Sequence, residues 1–284
     1  MTASKKQPHS ARVLGQWVDA YARERGLAPK RVRDWVSYTV LAGRLQRANS
    51  EPEEAMFTIK GAVALEMRLP ASARATKDID VIAEAGNNRK LAAVLDQALA
   101  ESYQDFTFRI KDNPYVMPND SERFQVALEY RGRSWSTVQV DLSRSEGDTT
   151  EVELVDPLAL EPFGLETPPA LPCLSLRYHL AQKIHGMTQP PKGDDAANER
   201  FRDLADLLLM RELATDLAGV REACVEVFAL RGTHDWPPEV DPPGAWEEPF
   251  AALAAGLELP VDALGEAVEA ALAFIGEIEA SGSS

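Results

Sequence analysis

The chain has 284 residues, of which 45% are hydrophobic and 26% charged, so it has the means to bury a core and is neither disordered nor fibrous. Its formal net charge of −15 excludes a protein that coats nucleic acid uniformly, because phosphate binding needs a cationic surface. The charge is unevenly spread: residues 1–48 hold 10 Lys/Arg and 3 Asp/Glu, whereas from Glu212 onward there are 15 acids and only Arg221 and Arg231 as bases.

The first ten residues are basic and polar with no apolar run behind them, which predicts no signal peptide. No stretch is long and apolar enough to suggest a membrane span. Cys173 and Cys224 do not make a disulfide framework. Together these predict a cytoplasmic protein.

Spacing predicts helices over 11–26 and 30–48. In the second, Val32, Trp35, Val36, Val40, Leu41 and Leu45 form an apolar stripe, with Arg31, Arg33, Arg44 and Arg47 off it. These arginines are the expected cationic surface. Residues 56–59 read as a strand and 62–69 as a helix stopped by Pro70. Residues 77–83 alternate as a strand does, 91–99 read as a helix, and 106–110, 123–130 and 136–142 as strands. Five prolines between Pro157 and Pro172 predict a linker. Beyond it, 175–187, 200–213, 218–230 and 261–278 read as helices, with a second Pro-rich loop at 236–244. The expected fold is α/β (α+β), divided into basic N-terminal helices (1–50), a core (51–165) and a helical C-terminal domain (166–284).

The chemistry concentrates on Arg74-Ala-Thr76-Lys-Asp78-Ile-Asp80. Positions i and i+2 of a strand share a face, so the two carboxylates stand about 7 Å apart at their Cα atoms. Two anions so placed repel, and a divalent cation such as Mg²⁺ offsets that repulsion. Asp141 closes another alternating strand and can add a third carboxylate, giving room for two ions. Lys60-Gly61-Ala62 joins a strand to a helix, where backbone N–H groups favour a phosphate. His179 and His185 share no helix face closely and read as core-edge or surface residues, not metal ligands. No zinc or serine-hydrolase motif is present.

These segments, with a later Lys and Asp, resemble the AbiEii-type nucleotidyltransferase toxins, which include the MenT toxins and belong to the DNA polymerase β-like superfamily. Gly61-Ala62, with Arg68 after five further residues, stands for the family's Gly-Ser or Gly-Gly motif, and Ala62 departs from it. Asp78 and Asp80 match the D-x-D motif. Lys183 matches the helical Lys, and Arg200-Phe-Arg-Asp203-Leu-Ala-Asp206-Leu the last motif. The resemblance implies a polymerase β-like core and transfer of a nucleotide from an NTP to an acceptor hydroxyl. Its metal ligands would be Asp78, Asp80 and Asp141, carrying two Mg²⁺ ions once NTP binds. Lys60, Gly61, Ala62, Arg68 and Lys183 would hold the nucleotide, Asp80, Lys183 and Asp203 would be catalytic, and Arg74, Thr76 and Asp206 are further candidates. It also implies an RNA acceptor, foremost the tRNA 3′ end, and a cognate antitoxin. The alternatives on the same residues are a protein or small-molecule acceptor, or a non-catalytic nucleotide- or partner-binding module.

Overall fold

The computed structural model describes residues 6–49, 57–70, 73–84, 89–117, 121–146, 149–190, 199–257 and 259–283. Met56 and the expected domain boundary at 50/51 lie outside the described residues. The chain forms two compact units: Met1–Pro70, Ala75–Ser145 and Val152–Cys173 make the first, and Ala71–Arg74, Glu146–Glu151 and Leu174–Ser284 the second.

The first unit is built on one mixed sheet. Its strands are β1 (Phe57–Lys60), β2 (Asp78–Ala83), β3 (Phe106–Ile110), β4 (Tyr115–Val116), β5 (Glu122–Tyr130), β6 (Arg133–Arg144), β7 (Val152–Val155) and β8 (Leu171–Leu174). They lie in the order β3-β5-β6-β2-β1-β8-β7, with β4 on β5. β2 runs antiparallel to β1 and parallel to β6, and β5 and β6 form a hairpin. The hairpin loop is Arg131-Gly132, both at positive φ (51° and 69°), as a two-residue turn between right-twisted strands requires.

Alternation along these strands divides the sheet into faces. Ile79 and Val81 of β2, Val138, Val140 and Leu142 of β6, and Phe124, Val126 and Leu128 of β5 are buried in one core. That core also takes Leu14 and Val18 of α1 (Ala11–Glu24), Val36, Val40 and Leu41 of α2 (Pro29–Gln46), and Val94 and Leu95 of α4 (Leu91–Leu99). Burying each such side chain stabilises by roughly 1.5–3 kcal/mol. α3 (Gly61–Arg68) follows β1 directly.

Two expectations change here. α2 is buried over most of its length, and Arg31, Arg33, Arg44 and Arg47 do not make a free cationic face. Arg31 pairs with buried Glu66 at 3.0 Å, Arg33 lies 4.4 Å over the Trp135 ring, Arg47 lies 4.6 Å over Tyr103, and Arg44 is only 6% exposed. Guanidinium stems and planes cover apolar and aromatic surface well, so Arg31, Arg33 and Arg44 serve packing, and exposed Arg47 covers the Tyr103 ring. The proline-rich stretch is not a linker either. Pro172 sits within β8, a buried strand between β1 and β7, so the end of this stretch is part of the sheet.

The second unit is helical: α5 (Leu176–Thr188), α6 (Phe201–Arg211), α7 (Leu217–Arg231), α8 (Glu247–Leu257) and α9 (Leu264–Ala280). α8 has no counterpart in the sequence reading. Leu180, Ile184, Leu204, Leu207, Val227, Phe228, Phe250 and Phe274 fill the core of this unit. Among the described residues, no helix is long and apolar enough to cross a membrane.

Candidate active site

Four charged residues of the first unit, two of them carboxylates, stand in a row across four strands. Lys60 on β1 is opposite Asp80 on β2, Asp80 is opposite Asp141 on β6, and Asp141 is opposite Arg123 on β5. Cross-strand partners share a face, so the row reads cation, anion, anion, cation on the side of the sheet away from the Ile79–Val81 core. Asp78 lies two residues before Asp80 on the same face, opposite Gln139.

Each member has defined contacts. Thr76 donates its hydroxyl to Asp78 Oδ1 at 2.8 Å, and Gln139 Nε2 donates to Asp78 Oδ2 at 3.3 Å. Buried Tyr38 of α2 donates to the Thr76 carbonyl at 3.3 Å, which fixes the approach to β2. Burial pushes the Tyr38 phenol well above its ordinary value, with Asp34, Asp78 and Glu66 adding to it. Lys60 Nζ donates to Ser143 Oγ at 2.9 Å.

Gly61 has φ +65°, and a Cβ there would stand 2.0 Å from Asp80 Oδ2. The Asp80 carboxylate thus rests against the start of α3, where the helix dipole favours an anion. Lys60 at the N-cap offers no side-chain cap to that turn. Ala62 is buried. Arg68, expected at a nucleotide, is instead only 7% exposed at its side chain and pairs with Glu153 of β7, with Nη1 donating to the Ala64 carbonyl at 3.1 Å. It ties α3 to the sheet.

Asp141 was expected among metal ligands. The structure places both its oxygens on the guanidinium of Arg123, at 2.8 and 2.6 Å. Hydrogen bonding to Asp141 raises the Arg123 guanidinium above its ordinary value despite burial, and Asp78 and Asp80 add to the effect. Among the described residues, no group of three or more His, Cys, Asp or Glu is arranged to hold a metal ion. The donor set that fits Mg²⁺ is the pair Asp78 and Asp80: hard oxygens, with Asp78 oriented, among the described residues, by the neutral donors Thr76 and Gln139. Mg²⁺ takes one or two carboxylates and completes its shell with water and phosphate oxygens.

The second unit holds its own charged constellation. Lys183 of α5 donates to Asp203 Oδ1 at 2.6 Å and Asp206 Oδ2 at 2.7 Å, both on α6. Asp206 is fully buried and also receives Arg74 through two bonds of 3.1 Å; Asp203 receives Arg200 at 2.8 Å. Burial alone would push the Lys183 ammonium down, but Asp203 and Asp206 outweigh it and hold it above its ordinary value. Burial would likewise raise the Asp203 carboxyl, yet Lys183 and Arg200 hold it below the usual carboxylate range. The helical spacing of Asp203 and Asp206 gives them one face, and that face meets Lys183.

Residues 44–274 match the family model of the nucleotidyl transferase AbiEii toxin of type IV toxin–antitoxin systems. The chain belongs to the AbiEii nucleotidyltransferase toxin family. Its Gly61, Asp78-x-Asp80, Lys183 and Asp203 segments all fall within the matched span. No match is found among curated proteins. Among solved structures, the chain is similar to MenT4, a nucleotidyltransferase toxin from Mycobacterium tuberculosis H37Rv, with a TM-score of 0.61 and 15% identity over 97% of this chain and 94% of that one. At that identity the likeness shows a shared nucleotidyltransferase fold. An antigenic nucleotidyltransferase-like protein from Paracoccidioides brasiliensis is also matched, at 15% identity, 70% of this chain, 89% of that one and a TM-score of 0.41.

The sequence reading did not single out Arg123, Gln139 or Tyr38. His179 and His185 are not at a core edge but 2% exposed. Cys173 and Cys224 are free and buried, and burial pushes the Cys173 thiol up to about 12, so neither suits nucleophilic work.

Proposed function

We propose that this AbiEii-family protein transfers NMP from an NTP to the 3′ end of an RNA, with tRNA as the acceptor, in a Mg²⁺-dependent reaction that releases pyrophosphate and stops translation. The observation that carries the reading is the register of Asp80 beside Gly61, which sets a paired carboxylate against the start of a helix. In phosphoryl-type transfer the protein contributes position and charge more than covalent chemistry. A metal bound at Asp78 and Asp80 would neutralise charge on the phosphates.

The chain's own residues do the rest. Gly61 admits the phosphates close to backbone N–H groups, as a helix start allows. Thr76 and Gln139 hold Asp78 in one orientation. The family pattern assigns Lys183 to the negative charge of the nucleotide, and Asp203 and Asp206 then keep that lysine protonated and in place. Membership in a toxin–antitoxin family supports a cognate antitoxin as partner and a cytoplasmic setting.

The test is purified protein incubated with tRNA, Mg²⁺ and each labelled NTP, followed by sequencing of RNA 3′ ends. Labelled RNA that disappears with Asp80→Ala supports the reading. No incorporation from any NTP by folded protein counts against it, and label on protein in a lysate would instead indicate a protein hydroxyl as acceptor.

A further inference from the structure

Arg123 occupies an unusual place in the carboxylate row. It faces Asp141 directly across the β5–β6 hairpin and binds both of its oxygens, at 2.8 and 2.6 Å. A bidentate guanidinium–carboxylate pair is among the stronger side-chain interactions, and its planar fork fixes the carboxylate's orientation. Asp141 is 12% exposed at its side chain and Arg123 35%, so the pair is partly shielded from water. Among the described residues, Asp78 accepts hydrogen bonds from the neutral donors Thr76 and Gln139 and is in no salt bridge. No guanidinium among them at hydrogen-bond range competes with a metal for the Asp78 oxygens, as Arg123 does for both oxygens of Asp141.

We propose that Arg123 is a positioning residue that satisfies Asp141 in place of a second divalent ion, so that the carboxylate row takes one metal ion, on Asp78 and Asp80. The hairpin is built for this pairing. Counting outward from the Arg131-Gly132 turn, Tyr130 faces Arg133 and Glu129 faces Ser134, but Leu128 faces Ser136. The extra residue, Trp135, is a β-bulge. Without it Arg123 would face Val140 and leave Asp141 opposite Glu122, because a one-residue slip changes every pairing beyond it. The bulge exchanges an anion for a cation beside Asp141.

The inference rests on the reading that Asp78 and Asp80 bind the metal, and the experiment separates the two. Mn²⁺ is titrated into the full-length protein without nucleotide, and free Mn²⁺ is followed by electron paramagnetic resonance. Removing a unit charge beside a divalent ion should tighten its binding about tenfold or more even under aqueous screening. Arg123→Gln should therefore bind Mn²⁺ about tenfold more tightly or take up a second ion, and Arg123→Gln/Asp141→Asn should return to the wild-type isotherm. Asp141→Asn alone, which does not depend on the folding of the Arg123 variant, leaves the Arg123 charge uncompensated and should weaken Mn²⁺ binding by about tenfold without changing the number of ions bound. An Arg123→Gln isotherm superimposable on wild type, or two ions bound by the wild type, overturns the proposal. If Arg123→Gln gains affinity but Asp78→Asn/Asp80→Asn leaves that gain intact, the assignment of the metal to Asp78 and Asp80 is what fails.

Discussion

Gly61 and Asp80 are in contact so close that no side chain fits between them: a Cβ on Gly61 would lie 2.0 Å from Asp80 Oδ2 and 2.8 Å from Cγ. The backbone at Gly61 is also left-handed, at φ +65°. Gly61→Ala should cost about 1–2 kcal/mol from backbone strain and also push the Asp80 carboxylate aside. A displacement of an ångström at the reacting groups lowers rate by roughly 100-fold. A transfer assay together with a melting curve checks this: activity should fall far more than stability does.

Lys183 is the pivot of a buried charge cluster, so its removal should be structural as well as chemical. Lys183→Ala leaves Asp203 and fully buried Asp206 without their shared ammonium. Breaking such a pair from one side costs about 3–5 kcal/mol. Urea denaturation should show that loss, with Lys183→Arg recovering part of it. The Asp206→Asn variant should be nearly as damaging, because it also weakens the two bonds from Arg74.

The D-x-D pair was legible because strand periodicity is local: β2 begins at Asp78, and its alternation already puts both carboxylates on one face. Lys183 with Asp203 and Asp206 was legible as motif and spacing. Which strands are neighbours was not, since Lys60, Asp80, Asp141 and Arg123 come from four strands whose order is set by the whole sheet. Arg123 was hidden by the bulge at Trp135, which no pattern of turn residues announces. The role of α2 was misread because its arginines carry the charge of a surface while their planes and stems lie on Trp135 and Tyr103.

Arg44 tests that correction. It is 6% exposed, within 3.8 Å of Glu101, on a helix buried over most of its length. Arg44→Glu would bury a carboxylate beside another and should destabilise by about 3 kcal/mol or more. Reversal of exposed Arg12 on α1 should change stability by no more than about 0.5 kcal/mol. Thermal melts of the two variants distinguish a packing arginine from a surface one, and only the second kind is suited to probing RNA contact.

Acid sensitivity should come first from the histidines of the second unit. Arg231, which can only donate, lies 3.4 Å from His185 Nδ1, so that nitrogen accepts and Nε2–H donates to Thr233 Oγ1 at 3.0 Å. Thr233 then donates to His234 Nδ1 at 2.9 Å, and His234 Nε2–H to Thr188 Oγ1 at 2.8 Å. The two bonds in which Nδ1 accepts, from Arg231 to His185 and from Thr233 to His234, need neutral rings, because both nitrogens of an imidazolium donate. Burial, then the Arg231, His234 and Arg200 charges, push His185 down to about 3, and burial lowers His234 as well. The unfolded chain therefore binds more protons than the folded one between about pH 6.5 and pH 3, so stability rises with pH across that window and is lost as pH falls through it. For His185 alone the loss between pH 7 and pH 5 is on the order of 2 kcal/mol. Urea midpoints at pH 7 and pH 5 measure it. His185→Gln, which cannot take up a proton, should lower the midpoint at pH 7 yet reduce the difference between the two pH values; an unchanged difference would locate the acid sensitivity elsewhere.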